Sequence, residues 1–138
     1  MGRMSSLHTP TVLAAGQSVP PASRNGGASN ADVNGASIDM RGKRGAMFVL
    51  DTGAMTGTAA VAARIQTGDN PDDAANANWT NVNYTAYTNA RITNKTNANS
   101  VFEMSFVGGA GVAGIQHIRA VLTPEANVSL ASIQHIVY

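Results

Sequence analysis

From Val33 onward, apolar and polar residues alternate with a period of two, the spacing of strands that bury one face. Ser37-Ile38-Asp39-Met40 alternates, and Arg41-Gly42-Lys43-Arg44-Gly45 predicts a turn. Ala46-Met47-Phe48-Val49-Leu50 is a continuous apolar run closed by Asp51-Thr52-Gly53, the pattern of a strand buried on both faces. Thr58 to Thr67 sets Val61, Ala63 and Ile65 on one face against Ala62, Arg64 and Gln66 on the other. After the loop Asp69-Asn70-Pro71-Asp72-Asp73, Trp79 to Thr88 reads as a strand, and Asn89 to Lys95 as a short one around Ile92. Val101 to Val107 alternates most clearly, with Phe102, Met104 and Phe106 inward and Glu103 and Ser105 outward. Ile115 to Thr123 and Val128 to Tyr138 complete the set, divided by a Pro124-Glu125-Ala126-Asn127 turn.

Only Ala54 to Ala63 invites a helix, and Gly57 with two threonines weakens it. About eight short strands predict an all-β fold, an antiparallel β-sandwich, because each strand has one apolar face to cover. A jelly roll is one way to close eight strands into two sheets and an immunoglobulin-like sandwich is another; periodicity does not separate them.

Residues 1–32 follow a different pattern. They carry Pro10, Pro20, Pro21 and Arg24-Asn25-Gly26-Gly27, and only Thr11-Val12-Leu13-Ala14 has strand character. Gln17 to Asp32 has little to bury, so the reading is an extended arm over 1–32 ahead of a sandwich over 33–138. About 30 extended residues reach on the order of 100 Å. Removing the arm is expected to leave a folded body.

Composition narrows the function. The chain has 138 residues, enough for one domain, and no cysteine, which excludes a disulfide scaffold and a thiolate metal site. A formal charge of +1 does not suit a nucleic-acid binder that works through a large positive field. No apolar run approaches 18 residues, so no membrane span is expected. Charged residues are 12% of the chain, about half the usual 25%. Polarity is carried instead by 13 Asn, 12 Thr, 10 Ser and 4 Gln. Such a surface hydrogen-bonds across close contacts with little charge to keep copies apart, which points to an assembly protein.

The search for chemistry returns little. Ile-Gln-His-Ile occurs at 115–118 and 133–136, but His117 and His135 have no third ligand nearby in sequence, so a repeated strand pattern explains them better than a metal site. Asp69, Asp72 and Asp73 lack the alternation of a calcium loop. Gly108-Gly109-Ala110-Gly111 joins two strands and so lacks the helix that a phosphate loop needs. No nucleophile or carboxylate pair stands in a catalytic pattern, and neither an enzyme nor a cofactor is expected.

Several segments together resemble a family. Gly35-Ala36-Ser37-Ile38-Asp39-Met40-Arg41-Gly42 follows a proline-bearing arm, and Met47-Phe48-Val49-Leu50-Asp51-Thr52-Gly53 comes next. Ala63-Arg64-Ile65-Gln66 precedes an acidic loop and Trp79, and Ile118-Arg119-Ala120-Val121-Leu122-Thr123 lies near the end. Over about residues 33–138 this resembles the small jelly-roll cement, or decoration, proteins of tailed bacteriophages. The resemblance implies a jelly roll and a non-enzymatic role on the outer surface of the virion. There the protein would bridge major capsid protein subunits as a homodimer or trimer. Partner-binding candidates are Val12, Leu13 and Arg24 in the arm, the Arg41, Lys43, Arg44 turn, and Trp79. A different reading is a lectin-like or receptor-binding sandwich with Trp79, Tyr84 and Tyr87 as a stacking platform near Asp73, Asn76 and Asn78.

Overall fold

The structure is a computed structural model that describes residues 12, 14–25, 32–68, 79–83, 89–107, 117–125 and 127–138. Among the described residues there are ten strands: β1 (Ala14–Asn25), β2 (Val33–Asn34), β3 (Ile38–Asp39), β4 (Gly45–Met55), β5 (Ala60–Gly68), β6 (Trp79–Asn81), β7 (Arg91–Lys95), β8 (Ser100–Val107), β9 (His117–Glu125) and β10 (Val128–Val137). They form two antiparallel sheets. The first has the order β1-β10-β4-β8; the second runs β2-β9-β5-β6, with β3 also on β9 and β7 also on β5. Because β5 occupies one side of β9 along its whole length, β2 and β3 follow one another along the other side as a single interrupted strand. The same holds for β6 and β7 beside β5.

The inner faces supply the core. Phe48 and Leu50 of β4, Met104 and Phe106 of β8, and Ile133 and Val137 of β10 meet Val61 and Ile65 of β5 and Ile118 and Leu122 of β9, all without solvent exposure. Each such side chain contributes roughly 1.5–3 kcal/mol of transfer free energy. Alternation sets the faces as expected for β5 and β8, except that Phe102, near the start of β8, is only half-buried.

Several expectations are corrected. Gln17 to Asn25 is not a detached arm: β1 lies along β10 from Ala14 opposite Val137 to Asn25 opposite Val128. Val19 is fully buried, and Ser18 Oγ hydrogen-bonds His135 Nδ1 at 2.7 Å. The strand was hidden because it bends at two register shifts, between Gln17 and Val19 and between Val19 and Ala22, which destroy its period. Ala46–Leu50 is not buried on both faces either, since Met47 and Val49 are half-buried on the outer side.

β4 does not stop at Asp51-Thr52-Gly53. Thr52 stays in the strand, buried, with Oγ1 donating to the Asn97 and Ser100 carbonyls. The turn comes later, where Gly57 takes a φ of +57° and Ala59 N–H closes on the Thr56 carbonyl at 3.0 Å. β9 runs through Pro124 to Glu125, and β6 ends at Asn81 well short of Thr88. Ala60 to Ala63, the second half of the Ala-rich stretch, is strand.

Two stability predictions follow from this packing. Phe106→Ala should cost about 3–5 kcal/mol in urea denaturation and Phe102→Ala about half of that; equal losses would mean that β8 is buried evenly. Deleting residues 1–25 should lower the thermal midpoint, because β10 loses its neighbour and the core loses Val19. An unchanged midpoint would show that β1 adds nothing.

Candidate interaction surfaces

The sequence candidates do not form one site. Arg41 and Lys43 both contact Asp39, and Gly42 between them, with a φ of +76°, turns the chain. Arg41 Nε and Nη2 grip the Asp39 carboxylate, and Lys43 Nζ donates to the Asp39 carbonyl at 2.6 Å. Side-chain and backbone hydrogen bonds from Arg41 hold the Asp39 carboxyl well below the usual carboxylate range. Arg44 is exposed, and its backbone N–H donates to the Tyr138 carbonyl at 2.7 Å. Three cations against one carboxylate leave this turn a net +2.

Val12 is exposed and lies two residues before Ala14, which pairs with Val137, so it shares this end of the sandwich. Leu13 lies outside the described residues. Arg24, opposite Ser129, belongs to the far end, about 26 Å along β10. It donates to the Pro20 carbonyl of its own strand at 2.8 Å.

Trp79 is not presented to solvent. It is 6% exposed, and the Arg119 guanidinium lies 4.5 Å from its ring centroid. A stacking platform on Trp79 is thereby withdrawn; Tyr84, Tyr87, Asp73, Asn76 and Asn78 lie outside the described residues. The two Ile-Gln-His-Ile segments separate as well, His117 on β9 in one sheet and His135 on β10 in the other. Among the described residues no three His, Asp or Glu side chains come together as metal ligands. The calcium-loop candidate and the glycine-rich 108–111 segment lie outside the described residues.

The outer face of the second sheet holds a hydrogen-bond network that sequence reasoning missed. Arg119, 3% exposed, donates through Nε and Nη2 to Gln66 Oε1 at 2.9 and 2.8 Å. Gln66 Nε2 and Arg64 Nε both donate to Asn81 Oδ1. Arg64 continues to Thr123 Oγ1 and, at 2.7 Å, to Asp32, which also accepts from Thr123 Oγ1. The members come from β5, β6, β9 and the entry to β2, so only register brings them together. No motif spacing could have signalled them. Beside them a groove of about 280 Å³ carries both signs of charge, with Ala62, Arg64, Arg91 and Glu125 in its lining.

No protein-family model matches the chain, and no curated protein sequence matches it. Among solved structures, the chain is similar to the SPBc2 prophage-derived protein YomS, with 12% identity, a TM-score of 0.49, and coverage of 91% of this chain and 92% of that one. It is also similar to a structure of the infectious bursal disease virus Gx strain, at 12% identity and a TM-score of 0.49, over 90% of this chain and 31% of that one. Likeness at this level assigns no role.

Two titrations test these contacts. Burial lowers the pKa of His135 below its ordinary 6.5, so the unfolded chain takes up a proton that the folded one refuses, and stability falls as pH drops below about 6.5. Partial burial pushes the Asp32 carboxyl up, but hydrogen bonds from Arg64 and Thr123 and the charges of Arg64 and Arg119 outweigh it, leaving the pKa below 3.8. Its contribution is present above that value and is lost on further acidification. Urea midpoints should therefore decline in two stages with falling pH. His135→Gln removes the first stage and Asp32→Asn reduces the second; unchanged pH profiles would refute both assignments.

Proposed function

We propose that the protein is a jelly-roll structural component of a phage virion that binds the outside of the capsid and cements neighbouring major capsid protein subunits. One observation carries the reading: the order of strand pairing. With β2/β3 and β6/β7 each counted as one strand, the eight strands pair first with eighth, second with seventh, third with sixth and fourth with fifth. These pairs alternate between the two sheets. A single antiparallel ribbon rolled up produces that order, which supports the jelly roll that the resemblance implies.

The neutral polar composition supports the same reading. A subunit repeated over a lattice gains avidity from many modest contacts, so a surface poor in charge and rich in Asn, Thr and Ser suits it. The basic turn at Arg41–Arg44, with Val12 at the same end, is the surface we assign to the capsid.

Co-sedimentation with capsid shells that lack the protein tests this. The chain should pellet at a fixed ratio to major capsid protein, and Lys43→Glu with Arg44→Glu should weaken binding about tenfold at low salt while leaving the fold intact. A chain that stays in the supernatant with intact shells overturns the proposal.

A further inference from the structure

The edges of the two sheets are not alike. A free edge exposes unpaired backbone N–H and C=O groups, and proteins usually blunt it with proline, bulges, charge or short strands. At one edge of the first sheet, β1 carries Pro20, Pro21 and two register shifts. Both edges of the second sheet are built of short, interrupted strands. β8 is different. It runs eight residues beside β4 in unbroken register, without proline, lysine or arginine, and no strand pairs with its other side among the described residues. Its ends carry the two most exposed large hydrophobic residues described, Val101 at 62% and Val107 at 68%.

The sequence of this edge reads nearly the same in both directions: Val101-Phe102-Glu103-Met104-Ser105-Phe106-Val107. We propose that β8 pairs antiparallel with β8 of a second copy about a twofold axis at Met104. In that register Val101 faces the partner's Val107, Phe102 the partner's Phe106, and Glu103 the partner's Ser105. An isologous contact requires such a self-complementary surface. A register centred on Glu103 would oppose two carboxylates; the axis at Met104 gives each a hydroxyl instead.

The backbone has the right polarity. Ser105 N–H points away from β4 and donates to the Asn89 carbonyl at 3.0 Å, whereas Ser100 N–H points toward β4 and reaches Thr52 Oγ1 at 3.1 Å. The odd-numbered residues of β8 therefore turn their N–H and C=O groups outward. Pairing forms about eight inter-strand hydrogen bonds, and each copy gives up the Asn89 contact. The result is one continuous eight-stranded sheet across two copies. This inference is independent of capsid binding: a monomer that still co-sediments with shells overturns it alone.

The absence of cysteine makes the register directly testable. Residues facing one another in a hydrogen-bonded pair lie about 5.5 Å apart at Cα, within disulfide reach. The Val101→Cys, Val107→Cys double variant should oxidise to a covalent dimer linked 101 to 107, whereas Val101→Cys alone should not link. Ser105→Glu should raise the dimer dissociation constant about tenfold in sedimentation equilibrium, by placing a carboxylate opposite each Glu103. Glu103→Lys combined with Ser105→Glu should restore the dimer, a recovery that a merely misfolded variant could not give. A wild-type chain that stays monomeric up to high concentration, or single and double cysteine variants that cross-link equally, overturns the inference.

Discussion

The structure depends on how few large apolar side chains the chain has to place. Leu, Ile, Val and Phe together number 27 of 138 residues, low for a protein that must build a core. The sandwich meets this by concentrating them between the sheets, where Phe48, Leu50, Met104 and Phe106 meet Ile65, Ile118 and Leu122. Much of the outer surface is left to small and neutral polar groups. Where the outer face is nonetheless buried, as at Arg119 and Gln66, hydrogen bonds replace apolar contact. Burying a guanidinium is costly unless its donors are satisfied, and bonds to Gln66 with the Trp79 face beneath serve that end.

The same scarcity explains the wiring. A strand with a thin apolar face is held by the ladder it forms, and the order of pairing supplies that neighbour from distant sequence. β1 is fixed to β10 at the opposite end of the chain, with the Ser18–His135 bond joining residues 117 positions apart. A strand with Val19 as its one fully buried apolar anchor acquires its place from the ladder it completes rather than from its own hydrophobicity.

This is why the fold was only partly legible in the sequence. β5, β8, β9 and β10 announce themselves because their inward residues are large and regularly spaced. β1 does not, since bulges and two prolines break its period and its partner is remote. Trp79 is a further case: a candidate for partner binding, it has Arg119 on its face, and nothing in the spacing of residues 79 and 119 foretells that contact. Arg64, Gln66, Asn81 and Asp32 became a network only when register aligned them. Of the residues picked out in advance, the Arg41–Arg44 turn alone came together as a local cluster, because a turn is decided by neighbours in sequence.

The edges bring these threads together. A chain with 12% charged residues cannot rely on electrostatic repulsion to keep its strands from pairing with other chains. It has to protect its edges by geometry, and β1, β2/β3 and β6/β7 are protected by prolines, bulges or interruption. Had β8 been left open by neglect, any register would serve and the outcome would be disordered association. Its palindromic order selects one register, and the single carboxylate on the strand, Glu103, penalises the neighbouring register in which it would meet its own copy. An edge open to association yet restricted to one partner geometry is what closed, finite assembly requires. In that pairing the two most exposed large apolar residues described, Val101 and Val107, are covered by the second copy.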